Sequence, residues 1–314
     1  MILRRTKSKM RVVFMGTPEF GVSVLRRLVE DQWNVVAAYT QPDKPKNRGM
    51  KLIPTPVKEY ALSRDIPVYQ PLSCRDEETI AELRALEPDV IVVAAYGKLL
   101  PKALLEIPKT AIINVHSSIL PQYRGAAPIN WAILNGDEET GVTIQYMGEE
   151  LDAGDILLIK RTAIDPGEDA ASLYDRLAVM GGEAASEALA QLRDGTAART
   201  PQVYGEQYMY ASMLSREMSA MDFTKNAKQL VDQVRGLIPW PCATTDVAGV
   251  RWKVFRAHVG GDTNAQPGKI LSADKSGIAV ACGDGKTVVI TELQPDGGKR
   301  MAAADYLRGR PIDL

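Results

Sequence analysis

At 314 residues, with 45% hydrophobic and 25% charged side chains, the chain has the usual soluble mix and the length of one large or two ordinary domains, which excludes a disulfide-stapled miniature, a coiled-coil rod and wholesale disorder. Thirty-eight basic residues against 39 acidic ones leave a formal net charge of -1, so a nucleic-acid partner must be held by a local patch. Cys74, Cys242 and Cys282 are odd in number, far apart and without a CxxC pair, which points to a reducing cytoplasm and away from a zinc site.

The first ten residues carry Arg4, Arg5, Lys7 and Lys9 and read as a short basic extension, because Arg11 and Gly16 break the apolar run that a secretory signal needs. No window is long and apolar enough to cross a bilayer, so no membrane role is expected. From there β-branched runs at 12–15, 35–39, 90–94 and 111–115 alternate with helical patterns at 19–30, 56–63 and 77–86. That alternation predicts parallel strands joined by crossover helices, an α/β arrangement. A further strand is expected at 142–146. An apolar stripe of Leu173, Leu177, Ala184, Ala188 and Leu192 predicts a long helix stopped by Gly195, closing a first domain over 1–195. Residues 196–205 lack periodicity and read as a linker. In 206–314 one helix, with Ala227, Leu230, Val231 and Val234 on a face, precedes short strands near 251–257, 278–281 and 287–293. Glycine-rich turns separate those strands, the cadence of a small antiparallel barrel.

Gly16 ends the first strand, where α/β proteins place ligands, but VVFMGTPEFG is neither a GxGxxG fingerprint nor a phosphate loop. It serves either a ligand or a tight turn. Asp43 stands about where a ribose-binding acid would, which keeps a nicotinamide enzyme as a rival. A stronger signal is Asn114-Val-His116-Ser-Ser-Ile-Leu-Pro121 at the end of a strand, where alternation turns Asn114 and His116 to one face. Asp152 follows the strand at 142–146 within Glu150-Leu-Asp152-Ala-Gly154-Asp155, with Gly154 allowing a sharp turn. An amide donor, an imidazole and a carboxylate suit acyl transfer: the first two can stabilise an oxyanion and the third can orient the imidazole or take a proton. The same residues also fit plain turn chemistry and a packed histidine, and Ser117 or Ser118 could be imagined as a nucleophile without the GxSxG elbow. His258 reads as structural, and Trp240 between Pro239 and Pro241 as core packing.

Residues 113–156, INVHSSILPQYRGAAPINWAILNGDEETGVTIQYMGEELDAGDI, resemble the signature of the 10-formyltetrahydrofolate-dependent formyltransferases. The resemblance implies a Rossmann-like formyltransferase domain with Asn114, His116 and Asp152 as catalytic trio, no metal, and 10-formyltetrahydrofolate as co-substrate. It implies that Ala94, Ala95, Tyr96, Gly97, Ser117, Ser118, Ile119, Leu120 and Pro121 surround the folate. Residues 40–58, TQPDKPKNRGMKLIPTPVK, are similar to the loop by which the branch acting on methionyl initiator tRNA reaches the acceptor stem, with Lys44, Lys46, Arg48 and Lys51 as tRNA-binding residues. Residues 215–224, 236–244 and 299–309 resemble the C-terminal domain of that branch, described as an OB-like barrel that grips tRNA. The implied activity is formylation of the α-amine of methionyl initiator tRNA, for bacterial-type translation initiation, by a cytoplasmic enzyme expected to be a monomer.

Overall fold

The computed structural model describes residues 9–46, 51–205, 208–247 and 249–312. Most of the expected basic extension, together with Arg48, therefore lies outside the described residues. In chain order the first half runs β1 (Arg11–Gly16), α1 (Glu19–Glu30), β2 (Asn34–Tyr39), the hairpin β3 (Lys44–Lys46) and β4 (Lys51–Ile53), α2 (Pro56–Leu62), β5 (Val68–Tyr69), α3 (Glu77–Ala85), β6 (Val90–Ala94), α4 (Lys102–Leu105), β7 (Ala111–His116), β8 (Arg124–Gly125), α5 (Pro128–Leu134), β9 (Glu139–Tyr146), β10 (Ile156–Ala163) and α6 (Ala170–Asp194). Beyond come β11 (Tyr210–Ala211), α7 (Ala227–Gly236), β12 (Ala243–Val247), β13 (Val250–Asp262), β14 (Ile270–Asp274), β15 (Gly277–Ala281), β16 (Lys286–Pro295), β17 (Met301–Ala302) and α8 (Ala303–Gly309).

The local causes are ordinary ones. Phe20, Val24, Leu25 and Leu28 line the buried stripe of α1. In α2 the Thr55 side chain accepts a hydrogen bond from the Lys58 backbone N–H, with Pro56 in the first turn. Gly195, at φ +67°, terminates α6 in the left-handed region, as the stripe predicts. Asn226 and Gln229 form a reciprocal capping box at the start of α7.

Seven strands form one sheet in the order β10-β9-β7-β6-β1-β2-β5. The ladders of β1 with β2 and β6, of β2 with β5 and of β6 with β7 are parallel. Buried along their length, β6 and β1 after Arg11 read as apolar runs. The order reverses between β1 and β6, so the crevice beyond their carboxyl ends is a topological switch point. One departure from the parallel expectation matters for the site: β9 runs antiparallel to β7. Nothing in the residue pattern of a buried strand encodes its direction.

The chain divides into two compact units, and each draws on more than one stretch. The first comprises residues 1–125, 141–162 and 174–210, the second 126–140, 163–173 and 211–314. In the second, an antiparallel sheet runs β12-β13-β16-β15-β14, with β17 on β16. Among the described residues its ladder is open, with β12 and β14 at the edges. Its core gathers Leu230 and Val234 of α7, Trp252 and Val254 of β13, Ile290 of β16 and Tyr306 of α8. Trp252 meets Tyr306 edge-on at 5.1 Å between ring centroids. Trp240 was expected in a core but is 50% exposed, because it stands in a turn beyond α7 and not on a face of the sheet.

Candidate active site

The glycine that ends β1 has a structural explanation. A Cβ on Gly16 would lie 2.8 Å from the Ala94 carbonyl oxygen and 2.7 Å from the Phe14 ring, so close packing of β1 on β6 excludes any side chain there. Asp43 is likewise committed. The Lys58 ammonium donates to its carboxylate at 2.6 Å and the Gln70 amide at 2.7 Å, and these partners hold its carboxyl below the usual range. An acid tied in this way is not waiting for a ribose, and the nicotinamide reading loses its anchor.

The expected trio is brought together at the carboxyl end of β7. Asn114 and His116 lie two residues apart on that strand, opposite Gln145 and Thr143 of β9. Antiparallel register sets directly opposed side chains on one face, so Asn114 and Gln145 share the face that carries His116. Asp152, in the loop after β9, places Oδ1 3.7 Å from His116 Nδ1, and both side chains are at least nine-tenths buried. His116 Nε2 lies 2.8 Å from the Tyr123 carbonyl oxygen, which can only accept, so Nε2 carries a proton and Nδ1 is left to face Asp152. The Asp152 carboxylate accepts from the Gly125 backbone N–H through Oδ2 at 3.0 Å and from the Gln145 amide through Oδ1 at 3.1 Å. Two fixed donors and a neighbouring imidazole leave it little rotational freedom.

The loop turns differently from expectation. Asp152 itself adopts the left-handed conformation, at φ +50°. Gly154 serves close approach instead: a Cβ there would stand 1.6 Å from the Tyr146 carbonyl oxygen. Arg124 anchors the same loop, donating to the Leu151 carbonyl through Nε at 3.0 Å and to Glu150 through Nη2 at 2.9 Å. Beside it opens a cleft of about 250 Å³ lined by Lys98, Leu100, Gln145, Tyr146 and Asp152 among others, with Arg75 and Lys102 also in its wall.

The segments expected around folate sit at the ends of two adjacent strands, β6 and β7. Ala95 and Gly97 are exposed and in the left-handed region, whereas Ala94 and Tyr96 are buried. Ser117, Ile119 and Pro121 are half-buried, and Ser118 and Leu120 are buried. None of these lines the cleft described above, which draws instead on residues 98–102 and 145–154. Ser118 is fully buried and donates its hydroxyl to the Gln122 carbonyl at 2.6 Å, a packed role that removes it as a nucleophile. The Thr143 hydroxyl ties the loop down by donating to the Ser118 carbonyl at 2.7 Å and accepting from the Leu120 N–H at 3.0 Å.

Of the expected tRNA-binding residues, Lys44 is exposed. Lys46 and Lys51 are register partners in the hairpin. Sequence reading missed Gln145 and Thr143; two polar residues at alternate positions of an apolar strand were the available signal, since both are buried. Among the described residues, no group of three or more histidine, cysteine or acidic side chains is placed to hold a metal ion.

The "Formyl transferase" family model matches residues 10–189, and "Formyl transferase, C-terminal domain" matches 213–311. A methionyl-tRNA formyltransferase of Trichlorobacter lovleyi is 48% identical over 305 residues, covering 97% of this chain and 95% of that protein. Among solved structures, the sugar 3N-formyl transferase WlaRD superposes with a TM-score of 0.69 at 16% identity, over 90% of this chain and 97% of that one. HypX from Aquifex aeolicus, solved with tetrahydrofolic acid, gives 0.62 at 20% identity over 97% of this chain, which spans only 48% of HypX. The two structural likenesses speak for the fold. Likeness through both halves at nearly half identity speaks for more, and the chain belongs to the methionyl-tRNA formyltransferase family.

Proposed function

We propose that the chain transfers the formyl group of 10-formyltetrahydrofolate to the α-amine of methionyl initiator tRNA. The observation that carries this reading is the buried pairing of Asp152 with His116 beside Asn114, in a chain whose relatives over nearly full length bear that activity in their name. Asn114 donates its amide to the formyl oxygen as negative charge develops there. With Nε2 committed to Tyr123, Nδ1 is the one His116 nitrogen left beside Asp152 and the reacting group, and a proton held there adds a second donor. The methionyl nitrogen forms a bond to the formyl carbon and gives up a proton to Asp152. The bond from that carbon to N10 of the folate then breaks, and N10 keeps the electron pair and takes up the proton. Charge is balanced throughout, and the residues do the work without a metal.

In this reading folate lies along the ends of β6 and β7, against Ala94–Gly97 and Ser117–Pro121; the switch point between β1 and β6 supports the first of these segments, and the pairing of β6 with β7 brings the second beside it. The acidic end of the co-substrate suits Arg75 and Lys102 in the cleft wall. Lys44, Lys46, Arg48 and Lys51 offer cations to tRNA phosphates. In this scheme residues 1–195 carry the chemistry, 196–205 link, and 206–314 grip tRNA. Three buried free thiols suit a reducing cytoplasm, and the protein is taken to act as a monomer. Formylation of initiator against elongator methionyl-tRNA tests the reading: a strong preference for the initiator supports it, and equal rates or no transfer to either overturns it.

A further inference from the structure

The segment expected to be a plain linker is bonded into the catalytic loop. Ile156 donates its backbone N–H to the Thr200 carbonyl at 2.7 Å, and Thr200 returns one to Ile156 at 3.0 Å. This bridge sets the segment beside the first residue of β10. Two residues further on, Gln202 turns its amide nitrogen onto the Asp152 carbonyl at 2.8 Å, the Gly154 carbonyl at 2.8 Å and Gln145 Oε1 at 3.3 Å. All three neighbours are acceptors, so only the nitrogen end of the amide can face them. Among the described residues, Gln202 Oε1 is buried with no hydrogen-bond partner.

Polarity then passes down a short relay. Because Gln202 donates to Gln145 Oε1, Gln145 must present its own NH2 to Asp152 Oδ1, the oxygen that faces His116. With Gln145 reversed, two oxygens would meet at that point and push the carboxylate away. Gln202 also clasps the carbonyls on either side of Ala153, in the loop where Asp152 stands in the left-handed region. Either end of the segment reinforces the grip. The Arg199 guanidinium lies 4.0 Å from the centre of the Tyr146 ring, and the Tyr204 hydroxyl accepts from Arg124 at 2.7 Å, the residue that anchors Leu151.

We propose that Gln202 is a positioning residue of the formyl-transfer site: acting through Gln145 and the Asp152–Gly154 backbone, it fixes the Asp152 carboxylate against His116. The proposal rests on Asp152 being the proton acceptor, as proposed above. Gln202→Met keeps length and packing while removing the donor. Turnover is expected to fall about tenfold with the Michaelis constant for 10-formyltetrahydrofolate changed less than about twofold, since a displacement well under 1 Å is at stake. In an Asp152→Asn background the same substitution should change turnover less than about twofold, because the group to be positioned is gone. Should Gln202→Met fail to fold, Gln202→Leu, which also removes the donor without adding an oxygen, takes its place with the same expectations. Turnover within twofold of the parent chain, or an undiminished loss in the Asp152→Asn background, overturns the proposal. Near-normal turnover in Asp152→Asn alone would overturn the role of Asp152 as well, which separates the two failures.

Discussion

Asp152 bears a side chain at φ +50°, a conformation that costs about 1 kcal/mol for any residue but glycine. The cost is offset by the Gly125 N–H and the Gln145 amide on its carboxylate and by Gln202 on its carbonyl. Asp152→Asn keeps shape and removes the proposed proton acceptor. Turnover should drop about a hundredfold or more while folate binding stays near normal, the scale of losing a positioned base. Near-normal turnover would reduce the loop to a structural turn. Strand alternation made it legible that Asn114 and His116 share a face, while grouping Asp152 with them came from the family resemblance, and Asp152 does lie against His116. Gln145 and Gln202 were not legible, since their role depends on bonds spanning 57 residues of chain between a strand and an aperiodic segment.

The hairpin of β3 and β4 shows what an element adds to its residues. Its base is held by Asp43, which accepts from both Lys58 and Gln70, while Gln70 also donates to the Gln41 carbonyl at 2.9 Å. The carboxyl of Asp43 is depressed by the Lys58 hydrogen bond first and Gln70 second. A depressed folded value means that the stabilisation is present above the unfolded value near ~3.9 and is lost as pH falls through the folded one. Asp43→Asn should therefore unfold more easily than the parent chain by about 1 kcal/mol at pH 7. That gap should close as pH drops from about 4 downwards, measured by urea unfolding at several pH values. A gap that ignores pH would detach the stabilisation from this carboxylate. Elements with strong periodicity, such as α1 at 19–30 and β6 at 90–94, were read to within a residue. The direction of β9 and the bonded course of residues 199–204 were hidden, because neither leaves a periodic trace.

In the whole molecule, two family models follow one another along the sequence, yet the compact units exchange segments. Within the second unit Asn130 of α5 donates to the Gly236 carbonyl at 2.7 Å, Trp131 donates to the Ser212 carbonyl at 2.9 Å, and Arg235 donates to the Glu168 carbonyl at 2.8 Å. A chain cut after Gly205 keeps Asn130, Trp131 and Glu168 but loses their partners. It should melt at least ~5 °C below the full chain, on the scale of a few kcal/mol in a protein of this size, and lose most of its affinity for tRNA. An unchanged melting temperature would show that residues 126–140 and 163–173 need nothing from the C-terminal half. Their segments read as ordinary α/β elements in the sequence, which is why a single boundary was expected there.

The most direct test of the function follows a labelled formyl group from 10-formyltetrahydrofolate to its acceptor, offering the purified chain methionyl initiator tRNA, a nucleotide-linked amino sugar or water alone. The account predicts that label reaches the methionyl α-amine, and that tetrahydrofolate is released only when the aminoacylated tRNA is present. Label on the amino sugar, or release of tetrahydrofolate without tRNA, would contradict it.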